Sequence, residues 1–217
     1  MKEKGEGRKY IPAFGVESLT PLFEPLLRVT IPYSVRTAPI LAAIAGRRER
    51  PRTLLDVGSG GGLLLQEIGH VADNLIGLEI DPGGLKLAAE KQIPNLRLIR
   101  ASACAIPLGE RSVEVAVSRL VFHHLTRREK EEALGEVHRV LAPGGLFVLA
   151  DWGKPHDPLS QLLSLSMRIS DGDERTADNL KGRLPRLAED AGFTGIKEVS
   201  VSRTLFGTFR VFTANKN

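Results

Sequence analysis

Apolar and polar positions along the chain follow two different periods. From Thr53 onward, near-continuous apolar runs at 53–57 (TLLDV), 75–80 (LIGLEI), 96–100 (LRLIR), 113–118 (VEVAVS) and 145–151 (GLFVLAD) are separated by stretches whose apolar residues recur every three to four positions. Strands buried on both faces of a parallel sheet read this way, with helical crossovers between them. Helices are therefore expected near 62–70, 82–92 and 126–141. Asp81-Pro82 supplies an N-cap and a first-turn proline, Thr126-Arg127-Arg128-Glu129 spells a capping box, and Pro143-Gly144-Gly145 ends the third helix and turns into the fifth strand.

Upstream, Thr20-Pro21 opens a short helix over 21–30. Pro32 opens another over Tyr33–Ala45, with an apolar stripe at Val35, Pro39, Ile40, Ala43 and Ile44. Downstream, residues 152–182 break the rhythm: Pro155, Pro158, Gly172 and the polar run DGDERTADN surround one expected helix at 159–169. A helix at 183–191 ends at Gly192. Two β-rich runs, Ile196–Ser202 and Leu205–Thr213, follow, and the short Arg203-Thr204 link makes them a hairpin. The pattern divides into an N-terminal helical extension, 1–50, and a domain, 51–217, carrying an insertion at 152–182.

Composition narrows the class. With 217 residues, 42% of them hydrophobic, the chain can build one large core. No apolar run approaches the roughly 20 residues that span a bilayer, and Met1–Lys9 lacks the apolar centre of a signal peptide, so a cytoplasmic protein is expected. The single cysteine, Cys104, excludes an internal disulfide and a cysteine-based metal cluster, and no metal is expected. Net charge is +4, but residues 1–53 hold ten Lys and Arg against five Glu, which leaves the remainder at −1. The Arg47-Arg48-Glu49-Arg50-Pro51-Arg52 cluster reads as a solvated helix end, with a basic arm for nucleic acid or an acidic membrane as the alternative.

The strongest chemical signal is Leu54-Leu55-Asp56-Val57-Gly58-Ser59-Gly60-Gly61-Gly62, a glycine-rich turn between the first strand and the first crossover helix. Glycines there let backbone approach a ligand closely. The dinucleotide fingerprint G-x-G-x-x-G would need glycine where Leu63 stands, and no Gly-Lys-Ser/Thr follows, so NAD and a Walker phosphate loop are both set aside. Glu79 falls at the C-terminal end of the second strand, where a carboxylate can accept both hydroxyls of a ribose. Asp81 fills the helix-capping role beside it and leaves Glu79 free.

In order and spacing, LLDVGSGGG, LIGLEIDPGGLKLA, IPLGERSVEVAVSRLVFHHL, EVHRVLAPGGLFVLAD and AEDAGF resemble class I S-adenosylmethionine-dependent methyltransferases. The resemblance is to the broad group that contains the ubiquinone/menaquinone-biosynthesis and small-molecule enzymes, and it covers about 53–151. It implies an α/β fold, a Rossmann-like doubly wound seven-stranded sheet in the order 3-2-1-4-5-7-6 with strand seven antiparallel. It also implies S-adenosylmethionine as cofactor and S-adenosylhomocysteine as product. Asp56 and the turn Gly58, Ser59, Gly60 and Gly62 would hold the methionine end, Glu79 the ribose, and Ile80 the adenine edge. Ser102 and Ala103 stand where the family usually has Asp-Ala against the adenine amino group, and Ser118 at the end of the fourth strand would complete the site.

A carbon or hydroxyl acceptor must lose a proton, so a general base is expected at the ends of the fourth and fifth strands. His123, His124, Asp151, His156 and Asp157 are the candidates. His123 is preferred as the imidazole facing the methyl group, with both histidines being structural as the alternative. Asp151 could bind substrate, orient a histidine or cap its loop. The expected acceptor is a small, partly apolar metabolite under a lid formed by two apolar stretches: Ile11, Phe14, Leu19, Leu22, Phe23, Leu26 and Leu27, then Leu159, Leu162, Leu163, Leu165 and Met167. Ordinary core helices are the plainer reading of both, and Tyr10, Tyr33 and Trp152 are the aromatics to follow. RNA or protein acceptors, and a non-catalytic cofactor-binding role, remain the alternatives. Only 5% aromatic content leaves few stacking platforms for RNA.

Overall fold

Five parallel strands follow the apolar runs: β1 (Thr53–Val57), β2 (Asn74–Glu79), β3 (Leu96–Arg100), β4 (Val113–Arg119) and β5 (Leu141–Gly153). A hairpin of β6 (Thr194–Thr204) and β7 (Gly207–Asn215) completes the sheet, with β7 antiparallel to both β5 and β6. This is a computed structural model that describes residues 20–165, 168–169 and 172–217. The strand order is β3-β2-β1-β4-β5-β7-β6, as the family resemblance implies. Of the residues named above, Tyr10, Ile11, Phe14, Leu19 and Met167, and the side chains of Leu22 and Phe23, lie outside the described residues.

Because successive strand residues face opposite sides, the sheet carries two apolar layers. On one side Leu54, Val115, Val117 and Val148 pack against Leu64, Leu65 and Ile68 of α4 (Leu63–Ile68). The same layer takes in Leu27 of α1 (Thr20–Thr30), Ile31 just after it, the partly buried Val35 of α2 (Tyr33–Arg36), and Ile40 and Ile44 of α3 (Ala38–Ala45). On the other side Leu55, Val57, Phe147 and Leu149 meet Leu134 and Val137 of α6 (Arg127–Val140) and Leu184 and Leu187 of α9 (Leu184–Asp190). The crossover α5 (Pro82–Glu90) links β2 to β3 and is capped by Asp81 as expected.

Four boundaries differ from the pattern reading. The Tyr33–Ala45 helix breaks at Thr37, whose φ of −129° leaves the helical region just before Ala38-Pro39, and whose hydroxyl donates to Glu67 Oε2 at 2.6 Å. In the insertion, the expected helix is interrupted: α7 (Pro158–Leu163) ends in a turn at Ser164, with residues 165, 168 and 169 again helical, and the polar run forms a further helix, α8 (Asp173–Leu180). That helix is invisible to apolar periodicity because the residues it buries are Thr176, Asp178 and Asn179. Asp178 pairs with Arg127 and Arg183, and Asn179 Nδ2 donates to Trp152 O at 3.0 Å. β5 begins at Leu141 rather than 145, since a register shift between Val113 and Val115 absorbs the Pro-Gly-Gly segment. The hairpin turns at Leu205-Phe206, closed by Thr204 Oγ1 donating to Gly207 O at 3.0 Å, so Arg203-Thr204 belongs to β6.

The N-terminal helices share the sheet's core, so Ile40→Ala, at a fully buried position, should cost ~2–5 kcal/mol. Denaturant unfolding should keep a single transition. A separate early transition would show that residues 31–45 unfold on their own.

Candidate functional site

The site forms where the strand order reverses, at the C-terminal ends of β1, β2 and β4, the place where open α/β sheets leave a crevice. Leaving β1, the chain enters the glycine turn, and Gly58 and Ser59 donate their N–H groups to Leu78 O at 2.8 and 2.9 Å. Gly58 adopts φ +78°, and a Cβ there would run into the Val121 side chain, so both conformation and space demand glycine. Gly60 N–H donates to Glu79 Oε2 at 2.8 Å. Ile80 and Asp81 N–H donate to Glu79 Oε1 at 2.7 and 2.8 Å. Glu79 is therefore not free: its carboxylate pins the glycine turn to the end of β2. Burial pushes its pKa up, and the three N–H groups oppose that shift.

A cavity of about 220 Å³ opens beside this turn. Its lining brings together Asp56, Gly58, Ser59, Gly60, Glu79, Ile80, Ser102 and Ala103, drawn from three separate places in the sequence. Two of the expected residues are elsewhere. Gly62 is the left-handed N-cap of α4 and packs on Ala88, and Ser118 donates its hydroxyl to Val57 O at 3.0 Å inside the sheet. Ser102 Oγ accepts the Cys104 N–H at 3.2 Å, which stiffens the wall after β3. Asp56 is 1% exposed, and its Oδ2 is buried without a hydrogen-bond partner, as is Ser59 Oγ. Burial pushes the Asp56 pKa up to about 7, further raised by Glu79, while Arg119 acts against the shift.

Two other lining residues were candidates from sequence, Leu27 of α1 as part of the apolar lid and His124, in the turn after β4, as a possible base. Glu24 from α1, Arg119, Leu120 and Val121 from the end of β4 and the turn after it, and Arg175 from α8 were missed. Lys91 Nζ donates both to Glu24 and to Gly61 O, which ties α1 down over the turn. The carboxylates of Glu24, Asp56, Glu79, Asp81 and Glu129 line the cavity against two guanidiniums, Arg119 and Arg175. Such a wall suits a cation. An unpartnered buried carboxylate beside a glycine turn also fits the ammonium and adenosine of S-adenosylmethionine, with Glu79 at the ribose and Ile80 at the base.

His123 and Asp151 do not line this cavity. His123, 4% exposed, is held by its own N–H on Asp151 Oδ2 at 3.2 Å and by Nδ1 on Asp151 Oδ1 at 2.7 Å; Trp152 N–H also donates to Oδ1 at 2.7 Å. His123, in the 3₁₀ turn Phe122–His124, is thus seated on Asp151 and absent from the cavity lining, so this geometry gives no support to its facing the reacting atoms. It is His124 that lines the cavity, with its ring centroid 3.9 Å from that of His123. His156 and Asp157 are also outside it. His156 Nδ1 meets Thr208 Oγ1 at 2.9 Å and Asp157 caps α7. Among the described residues no group of three or more His, Cys, Asp or Glu could hold a metal ion, and no helix is long and apolar enough to cross a membrane.

Comparison with known proteins agrees with the geometry. Residues 55–149 match the family described as "Methyltransferase domain". An uncharacterized methyltransferase of Synechocystis is 27% identical over 146 residues, 67% of this chain and 68% of that one. The other curated relatives compared match over less than half of their own length. Human N-acetylserotonin methyltransferase, solved with its cofactor, superposes with a TM-score of 0.72 at 17% identity, covering 94% of this chain and 57% of that one. A Thermotoga maritima S-adenosylmethionine-dependent methyltransferase gives 0.68 at 17%, covering 93% and 98%. At such identities the likeness is one of fold. The family match, the sheet order and the relatives are those of class I S-adenosylmethionine-dependent methyltransferases, to which this chain is similar over residues 55–149.

Asp151→Ala would strip the partner from three buried groups, His123 N–H, His123 Nδ1 and Trp152 N–H, and should destabilise the fold by ~3–5 kcal/mol. His124→Ala should cost well under half of that in the same denaturant titration. Equal losses would mean that both histidines are structural.

Proposed function

We propose that this protein transfers the methyl group of S-adenosylmethionine to a small, partly apolar acceptor. The observation that carries the reading is Asp56: a buried carboxylate with one oxygen unpartnered, at the glycine turn of a cavity walled mainly by acids. When bound, the cofactor supplies a methyl group on a cationic sulfonium, open to in-line attack. Asp56 holds the ammonium of its methionine end, while Gly58, Ser59 and Gly60 let backbone come close. Glu79, whose Oε2 spends one bond on Gly60, retains acceptor capacity for the ribose hydroxyls. Ser102 and Ala103 flank the base, with a hydroxyl doing at Ser102 the work a carboxylate does in relatives of the same pattern.

For the acceptor, Leu27, Leu120, Val121 and Leu125 supply apolar wall and exclude water, which raises the worth of every charge inside. The N-terminal extension acts as the lid at Glu24 and Leu27, and the insertion adds Arg175 on the opposite side. His124 is the imidazole placed to take a proton from an acceptor hydroxyl or carbon acid. His123 and Asp151 are positioning residues behind it, the carboxylate fixing the His123 tautomer and, through ring contact, the place of His124.

The first test is calorimetric titration of ligand-free protein with S-adenosylmethionine and S-adenosylhomocysteine, with NAD as control. Micromolar binding of the first two alone is expected, and Glu79→Ala should weaken it by roughly 10- to 100-fold. Absence of binding by folded protein would overturn the reading.

The pH profile has a definite sign. Below pH 7 Asp56 is largely protonated in the free protein, so capture of an ammonium must expel that proton; affinity should fall about tenfold per pH unit on the acid side. Above about pH 8 an α-amino group loses its own charge. Binding should therefore peak between about pH 7 and 8, and Asp56→Asn should lower affinity and erase the acid limb. An acid limb that survives in the Asn variant would remove Asp56 from the ammonium site.

A further inference from the structure

Arg119 closes β4 at the cavity and is 9% exposed, a charged side chain that neither the glycine turn nor the histidine pair uses. One of its nitrogens is committed: Nη1 donates to Thr37 Oγ1 at 3.0 Å and lies 3.4 Å from Glu67 Oε2. Glu67 is in turn held by Arg36 and by the Thr37 hydroxyl. The guanidinium plane is thus fixed from behind by the junction between α2 and α3. Among the described residues, Nε and Nη2 make no hydrogen bond. These two N–H groups form the side-on edge of a guanidinium, the edge that matches both oxygens of a carboxylate. Asp56, the leading carboxylate in the electrostatic field at Arg119, lines the same cavity. A fixed cation with a bidentate edge therefore shares the cavity with a buried carboxyl group that has one oxygen unpartnered, and the two together are complementary to an α-amino acid.

We propose that Arg119 binds the carboxylate of the cofactor's methionine end, as the counterpart of Asp56 at its ammonium. This rests on the reading of the cavity as an S-adenosylmethionine site and adds to it the residue that selects the carboxylate. It also gives the helix junction a role. The groups that orient Arg119 belong to α2, Thr37 and α4, so the N-terminal layer preorganises a cofactor contact from outside the strand-end motifs.

Decarboxylated S-adenosylmethionine, which keeps the sulfonium, the adenosine and an ammonium but lacks the carboxylate, isolates this contact. Calorimetry on the full chain should show that wild-type protein prefers S-adenosylmethionine over it by roughly 10- to 100-fold. In Arg119→Gln that preference should collapse to within about threefold, because only the carboxylate-bearing ligand loses a partner. Arg119→Lys keeps a cation opposite Glu67 and guards against loss of folding, which circular dichroism monitors; it should retain part of the preference, since an ammonium offers no planar fork. Asp56→Asn should weaken both ligands alike. A wild-type protein that binds both ligands equally, or an Arg119→Gln that weakens both by the same factor, would overturn the proposal with the cofactor reading intact, and Arg119 would be a brace for the helix junction. A wild-type protein that binds neither ligand would overturn both.

Discussion

The Glu79 carboxylate gathers three backbone N–H groups at the point where the sheet reverses direction, and the site depends on that convergence. Two of them come from the residues leaving β2 and one from the glycine turn leaving β1. Parallel strands end without a reciprocal ladder, so their last donors need partners, and one buried acidic side chain supplies them. The cost is desolvation, visible in the raised Glu79 pKa. What it secures is the position of Gly60 and, through the Gly61 carbonyl that Lys91 grips together with Glu24, the position of α1 over the turn.

Charge is distributed across the site in a way that disfavours the free protein and favours a bound cation. Asp56 has a folded pKa of about 7 against an ordinary value of 3.8, so the native state holds on to a proton that the unfolded chain releases. Stability contributed at this position is present at low pH and is lost as pH rises through that window, the opposite of a salt-bridged aspartate. Under the proposed function a ligand ammonium would offset that loss. Arg36, Glu67 and Arg119 form a second buried charged group, and such groups often add little to net stability while fixing geometry. Here the geometry fixed is that of the α2–α3 junction against the end of β4.

How much of this was legible in the sequence follows from what each pattern encodes. Strands β1 to β4, α5 and the capping box of α6 were readable because apolar runs, Asp-Pro and Thr-x-x-Glu act locally. The glycine turn and Glu79 were readable because strand ends place them, although the bonds that occupy Glu79 were not. α8 was unreadable for a physical reason: it buries Thr176, Asp178 and Asn179, whose partners Arg127, Arg183 and the Trp152 carbonyl are distant in sequence. Arg119 was likewise hidden, because an arginine at a strand end means little until Thr37 and Glu67 are brought to it. The preference for His123 over its neighbour had no local pattern behind it, since only the tertiary structure shows that His124 lines the cavity while His123 meets Asp151.

The division of labour in the cavity bears on acceptor choice. Its cofactor half is built from strand ends, where backbone geometry is constrained by the sheet. The remaining walls come from the turn after β4, with Leu120, Val121, His124 and Leu125, and from two segments outside the alternating strand–helix units, α1 with Glu24 and Leu27 and α8 with Arg175. Arg175 is itself anchored, donating to the His124 carbonyl, and Lys130 bridges the carbonyls of Leu125 and Arg175. The turn that presents His124 and the helix that presents Arg175 are therefore held as one unit. A change in α8 would be felt at the imidazole as well as at the cavity wall, through three main-chain carbonyls and a buried lysine, and under the proposed function this would couple acceptor recognition to proton transfer.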